Sequence, residues 1–124
     1  MRGKPKVLVV EDEEALAKVL KMRLEIEGFE VRTAGDGREA LRLIGRQRPD
    51  IVVCDLMMPV MDGKEVTRVI KSDAKLKSIP VLILSALKRD KDVNEVMALG
   101  ADGFAAKPFD SKELTKRIRD LLKR

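Results

Sequence analysis

The chain has 124 residues, 44% hydrophobic and 38% charged, with a formal net charge of +5, one cysteine and no histidine, tryptophan or tyrosine. That length carries one domain with a sizeable core and leaves no room for two, no apolar run approaches a bilayer span, and a single cysteine excludes an internal disulfide. Lys and Arg are spread over every helical segment rather than gathered in one tract, and three phenylalanines (Phe29, Phe104, Phe109) give bases little to stack on, so direct nucleic-acid binding is not the expected role.

Residues 1–6 lead straight into an apolar strand instead of a signal-peptide core, which makes a reducing cytoplasm the expected setting and a membrane partner unexpected. Asn94 and Gln47 are the only side-chain amides, a thermophile-like composition when joined to abundant Lys, Arg and Glu. Lys6-Val-Leu-Val-Val10 reads as a buried strand, followed by Glu11-Asp12-Glu13-Glu14 at a turn and helix start, where acids suit the helix dipole. Leu16, Val19, Leu20 and Leu24 recur at helical spacing, with Gly28 as the stop. Phe29 to Ala34 alternates as a half-exposed strand. Gly35-Asp-Gly37 turns the chain, and Ala40, Leu41 and Ile44 mark a second helix before Pro49.

Ile51 to Cys54 form a continuous apolar run that ends in Asp55, the pattern of a strand buried on both faces of a parallel sheet. A loop closes near Gly63, and Val66, Val69 and Ile70 give a third helix. Val81-Leu-Ile-Leu-Ser85 is a second wholly apolar strand with a polar end. Val93, Val96 and Met97 mark a fourth helix that stops at Gly100. Gly103 to Ala106 is a weak strand leading to Lys107-Pro108, and Asp110-Ser111 starts a last helix with Leu114, Ile118, Leu121 and Leu122. Five strands alternating with five helices predict a doubly wound α/β domain with a parallel sheet and right-handed crossovers.

Parallel strands share one carboxyl edge, where open α/β sheets place their ligands. Asp12, Asp55, Ser85 and Lys107 each follow or end a strand there, with Glu11 beside Asp12. Three carboxylates brought together repel, and a hard divalent cation such as Mg²⁺ resolves the repulsion. Ser85 adds a neutral hydroxyl and Lys107 a compact positive charge suited to a phosphoryl oxygen. Carboxylate nucleophile, metal, lysine and hydroxyl are the components of phosphoryl transfer. Cys54, on the opposite side of its strand from Asp55, reads as a buried small hydrophobe. Met57, Met58 and Met61 read as packing and loop anchors, since thioethers are too soft for Mg²⁺. The basic residues Lys112, Lys116, Arg117 and Arg119 of the last helix read as a solvated face, with part of a docking surface for an acidic partner as the alternative.

This ordered set resembles the response-regulator receiver domains of two-component signalling, over essentially the whole chain. The carriers are Val7-Leu-Val-Val-Glu11-Asp12, Asp36-Gly37 with Glu39-Ala40-Leu41, and Pro49-Asp50 through Asp55-Leu-Met-Met-Pro59 and Met61-Asp62-Gly63. Pro80-Val-Leu-Ile-Leu-Ser85-Ala86 and Gly100-Ala-Asp-Gly-Phe104-Ala-Ala-Lys107-Pro108-Phe109 complete it. The resemblance implies a flavodoxin-like (βα)5 fold with a five-stranded sheet of order 2-1-3-4-5, for which a member of this family is a type example. It implies a single receiver domain over residues 1–124 with no output domain. Asp55 would accept a phosphoryl group from the phosphohistidine of a histidine kinase or phosphotransfer domain. Asp12, Asp55 and the Met57 backbone carbonyl would hold Mg²⁺ (or Mn²⁺), with Glu11 acting through water. Lys107 would contact the phosphoryl group, and its bond to Pro108 is expected to be cis. Ser85 would swing toward the phosphoryl oxygen and Phe104 rotate inward, changing the surface of the fourth helix, fifth strand and fifth helix for a downstream protein or an output domain.

Glu11 and Ser85 stand where aspartate and threonine are more frequent, and Phe104 lacks a tyrosine hydroxyl. Met57 and Leu87 put apolar bulk where some members help position hydrolytic water, so slow self-dephosphorylation is expected from a protein that is not a turnover enzyme. A haloacid-dehalogenase-type phosphotransferase also uses a strand-end aspartate, but that family resembles Asp-x-Asp and position 57 here is Met. A receiver-like interaction module that is never phosphorylated is the other alternative.

Overall fold

The computed structural model describes residues 3–86 and 90–123; Leu87, singled out above, lies outside them. Strands β1 (Lys6–Val10), β2 (Glu30–Ala34), β3 (Ile51–Asp55), β4 (Val81–Ser85) and β5 (Gly103–Ala106) alternate with helices α1 (Glu14–Ile26), α2 (Gly37–Arg46), α3 (Gly63–Ser72), α4 (Asp90–Ala98) and α5 (Ser111–Leu122). All strand pairs are parallel, in the order β2-β1-β3-β4-β5. Among the described residues no helix is long and apolar enough to cross a membrane.

Because side chains alternate along a strand, each apolar run supplies both faces of the sheet. Leu8, Val10, Val52, Cys54 and Ile83 pack with Ala40 and Ile44 of α2, Val66 and Ile70 of α3, and Val96 of α4. Val7, Val9, Ile51, Val53, Leu82 and Leu84 face the other way, onto Leu20 and Leu24 of α1 and Leu114, Ile118 and Leu121 of α5. Among the described residues the only buried charged side chains are Glu11 and Asp55, and both lie at the ends of strands rather than within either core.

Local chemistry sets the helix boundaries. Asp36, Asp62 and Asp110 each cap a helix, their carboxylates accepting from the N–H groups of Glu39, Glu65 and Lys112. Glu39 reaches back to the N–H of Gly35 at 2.7 Å, so α2 has a reciprocal cap. Gly28 and Gly100, expected to stop α1 and α4, both have positive φ (99° and 108°). Two apolar expectations fail. Val19 is 39% exposed, because α1 turns Ala17, Leu20 and Leu24 inward, and Met97 is 40% exposed. The face of α5 expected to be merely solvated is also engaged. Arg119 donates to the Glu27 carbonyl at 2.6 Å with its guanidinium 4.9 Å from the centroid of the Phe29 ring, and Arg117 donates to the Phe104 carbonyl at 2.6 Å.

Candidate functional site

The register brings the predicted residues to one edge. Val10 pairs with Cys54, so the residue after β1, Glu11, lies level with Asp55 at the end of β3. Asp55 pairs in turn with Leu84, and Ser85 with Ala106, so Ser85 and then Lys107 come next along the same edge. Carboxylate oxygens of Glu11, Asp12 and Asp55 all lie within 4.8 Å of one another. Asp12 is exposed, while Glu11 and Asp55 are 3% and 6% exposed, so two of the three acids are held away from bulk water.

Lys107 enters this cluster as its counter-charge. Its Nζ lies 2.7 Å from Glu11 Oε1 and 3.4 Å from Asp55 Oδ2. Glu11 Oε2 accepts from the Glu13 N–H at 3.0 Å, so both of its oxygens are engaged. Burial pushes the Glu11 carboxyl above the ordinary range; the Lys107 and Glu13 hydrogen bonds oppose that shift without cancelling it. Asp55 is likewise raised by burial, against the opposing charge and hydrogen bond of Lys107. For Lys107 burial works against the charged form, yet the Glu11 hydrogen bond and the Asp55 and Glu11 charges outweigh it and the ammonium is stabilised. Three carboxylates and one ammonium leave two uncompensated negative charges in a half-dry cleft. A hard divalent cation matches that charge and that all-oxygen donor set, so these residues fit Mg²⁺.

The supporting framework is tight. The Gly63 N–H donates to the Leu56 carbonyl at 2.9 Å, and a Cβ at Gly63 would lie 2.6 Å from the Asp55 carbonyl oxygen. Only a glycine lets α3 start so close to the end of β3. Between them Val60 adopts φ 69°, and the Met61 N–H donates back to the Pro59 carbonyl at 2.7 Å, a three-residue turn of the strained positive-φ kind.

Ser85 is fully buried at the end of β4, and Phe104 is half-buried in β5, packed against the core on the α2–α3–α4 side. The Lys107–Pro108 bond is cis, as expected. Cys54 is buried, and its thiol is pushed up by burial and then by the neighbouring carboxylates, so it is inert. Of the three methionines read as anchors, Met58 is buried and Met61 packs partly against the core, but the Met57 side chain is 57% exposed. It joins neither core cluster.

Sequence reasoning placed Lys107 and Glu11 in the same cluster but missed their direct pairing. It also missed Lys64, whose ammonium reaches across to α4 at Asp92 (3.1 Å) and Glu95 (2.6 Å). The charge alternation of those helices gave no signal, since the partners lie 28 and 31 positions away.

The sequence profile described as the response regulator receiver domain matches residues 7–119. A Guillardia theta protein named "Probable transcriptional regulator ycf27" is 44% identical over 124 residues, covering 100% of this chain and 48% of that protein. The chain spans about half the length of the curated relatives it matches. Among solved structures, the receiver domain of the Francisella response regulator 1452 superposes with a TM-score of 0.90 at 37% identity, covering 98% of each chain. The receiver domain of the sensor histidine kinase PA1611 of Pseudomonas aeruginosa PAO1 also gives 0.90, at 29% identity, covering 98% of this chain and 100% of that one. Its magnesium ion is coordinated in the active site cleft.

Proposed function

The chain belongs to the response regulator receiver domain family, and on that premise we propose that it is a phosphorylation-controlled switch with Asp55 as phosphoacceptor. The observation that carries this reading is the meeting of Glu11, Asp12 and Asp55 around one point with Lys107 paired into the cluster. The donor is the phosphohistidine of a histidine kinase or phosphotransfer domain. An Asp55 carboxylate oxygen attacks phosphorus, an O–P bond forms as the N–P bond breaks, and the released imidazole nitrogen takes up a proton from solvent. The product is an aspartyl phosphate.

Burial of Asp55 strips water from its carboxylate and raises its basicity, which favours attack, while Lys107 keeps the charged form accessible. Lys107 holds an Asp55 oxygen before transfer and can pass that contact to a phosphoryl oxygen after it. Asp12, Asp55 and the Met57 carbonyl would hold Mg²⁺ directly, with Glu11 acting through water and Mn²⁺ as a possible substitute. When bound, the metal supplies charge neutralisation for the transferring group. Ser85, at the end of β4, then turns its hydroxyl to donate to a phosphoryl oxygen, and Phe104 follows into the space it leaves. The α4–β5–α5 surface thereby reports the charge at Asp55 to a downstream protein or an output domain in a cytoplasmic setting. Met57, exposed two residues after Asp55, carries a thioether that offers no N–H or O–H to a hydrolytic water, which supports a long-lived aspartyl phosphate.

Intact mass after incubation with Mg²⁺ and acetyl phosphate tests the reading. Wild type gains one phosphoryl group, Asp55→Asn gains none, and EDTA abolishes the gain. An unmodified wild type under those conditions would instead make the chain an interaction module that is never phosphorylated.

A further inference from the structure

Among the described residues, the ion pairs that join different elements centre on three lysines: Lys107 in the site, Lys71 with Asp102, and Lys64 with Asp92 and Glu95. Lys71 lies among the carbonyls of Lys77 and Ile79 near the start of β4, at the opposite edge from Asp55, and is a structural tie. Lys64 is different in position. It follows Gly63, the residue whose backbone abuts the Asp55 carbonyl, and it is the second residue of α3. Its two partners lie on α4, the helix that follows Ser85 in the chain. One side chain therefore spans from the element pressed against the phosphoacceptor to the element leading out of the switch hydroxyl.

We propose that the Lys64–Asp92/Glu95 ion pair is a salt-sensitive latch that holds α4 against α3 and so restrains Asp55 from accepting a phosphoryl group. The proposal rests on the phosphoacceptor reading above. An interaction made in one arrangement of α4 biases the equilibrium toward that arrangement, and any change at Asp55 that requires α4 to move must work against it. The pair is only partly buried, with side-chain exposures of 28% for Lys64, 18% for Asp92 and 42% for Glu95. Dissolved salt therefore weakens it, unlike an apolar contact in the same place. Glu95 is also approached by Lys91 on its own helix at 4.0 Å, so the acid keeps a partner when Lys64 is removed and α4 itself stays intact.

The test compares wild type with Lys64→Met, which keeps the length and loses the charge, and with Lys64→Arg, which keeps the charge. Amide hydrogen exchange of α4 is measured first, in EDTA and without a phosphoryl donor, using α2 as the internal reference. Lys64→Met is expected to exchange about two- to fivefold faster in α4 only, with Lys64→Arg near wild type, the range set by a partly exposed pair. Raising the salt to about 0.5 M should bring wild type towards Lys64→Met. The initial rate of phosphoryl gain from limiting acetyl phosphate with Mg²⁺ is then measured. It should rise by a similar factor in Lys64→Met, and the ratio to wild type should shrink at high salt. Unchanged α4 exchange overturns the latch. Faster exchange with an unchanged rate of phosphoryl gain overturns its coupling to Asp55. Failure of all three proteins to gain mass sinks the phosphoacceptor reading instead, and the exchange data still decide whether the latch exists.

Discussion

Replacing Gly63 with alanine should damage the domain, while the same replacement at Gly45 should improve it. At Gly63 the added Cβ would lie 2.6 Å from the Asp55 carbonyl oxygen and 2.9 Å from the Leu56 Cα. Ordinary contact begins near 3.4 Å, so backbone must retreat by roughly 0.8 Å, and neither partner is a side chain that can rotate away. Overpacking of this kind costs about 2–3 kcal/mol, slightly offset by the better helix propensity of alanine. At Gly45, on the exposed side of α2, nothing lies within 4 Å of the added Cβ. There the propensity gain stands alone, at about 0.5 kcal/mol so near the helix end. For a domain of this size about 4 °C accompanies each kcal/mol, so Gly63→Ala should lower Tm by about 8–12 °C and Gly45→Ala raise it by about 2 °C. Calorimetry or circular dichroism melting in EDTA reads both. Because the displaced atom is the Asp55 carbonyl, Gly63→Ala should also slow phosphoryl gain, and Gly45→Ala should not. A Gly63→Ala protein within about 0.5 kcal/mol of wild type would refute the argument that α3 is held against β3 by a contact only glycine permits.

In EDTA the raised carboxyls of Glu11 and Asp55 make the folded state bind more protons than the unfolded chain, so stability should fall as pH rises from the ordinary carboxylate range through their folded values. Millimolar Mg²⁺ should flatten that fall and raise Tm at neutral pH, an effect that Asp12→Asn should weaken; a Tm indifferent to Mg²⁺ would contradict the metal site. Lys107→Ala should destabilise the metal-free domain by about 1–2 kcal/mol, since buried Glu11 loses its charged donor, and should strengthen Mg²⁺ binding by leaving three negative charges unopposed. Titration calorimetry showing weaker Mg²⁺ binding would count against the charge argument. Val60→Gly should stabilise by about 0.5–1 kcal/mol, because strain at φ 69° outweighs the added flexibility of the unfolded glycine. A lower denaturant midpoint in that variant would show that the turn is not strained.

The fold was legible because the sheet is buried on both faces. Strands of that kind are written as unbroken apolar runs, so a single polar residue at the end, Asp55 or Ser85, stands out against its neighbours. Parallel topology then dictates that such ends meet, which is why Glu11, Asp12, Asp55, Ser85 and Lys107 could be assembled before any coordinate was known. The amphipathic helices were read less well. Helical spacing alone placed Val19 inside, yet α1 rotates to bury Ala17, whose side chain is too small to announce itself in a hydrophobic pattern. The exposed Met57 shows the same limit in a loop, where no periodicity constrains the side chain.

What the sequence hides are the relations that depend on one element's height against another. Gly63 reads in the sequence only as the close of the loop after Asp55, and its steric necessity appears only when the Asp55 carbonyl is seen against it. Lys107 and Glu11 pair across 96 positions, and Lys64 finds its acids only because α3 and α4 pack side by side on the same face. These hidden relations share a logic. The acid cluster is unfavourable by itself, since burial raises two of its carboxyls and one ammonium cannot neutralise three negative charges. A site poised in this way is sensitive to any added charge, whether a metal ion or a phosphoryl group. On the phosphoacceptor reading proposed above, its surroundings must be stiff where the cluster is held, at Gly63 and β3, and adjustable where the change would be passed on, at Ser85 and α4. A glycine contact made of backbone atoms supplies the first property, and a partly solvated lysine between two acids supplies the second.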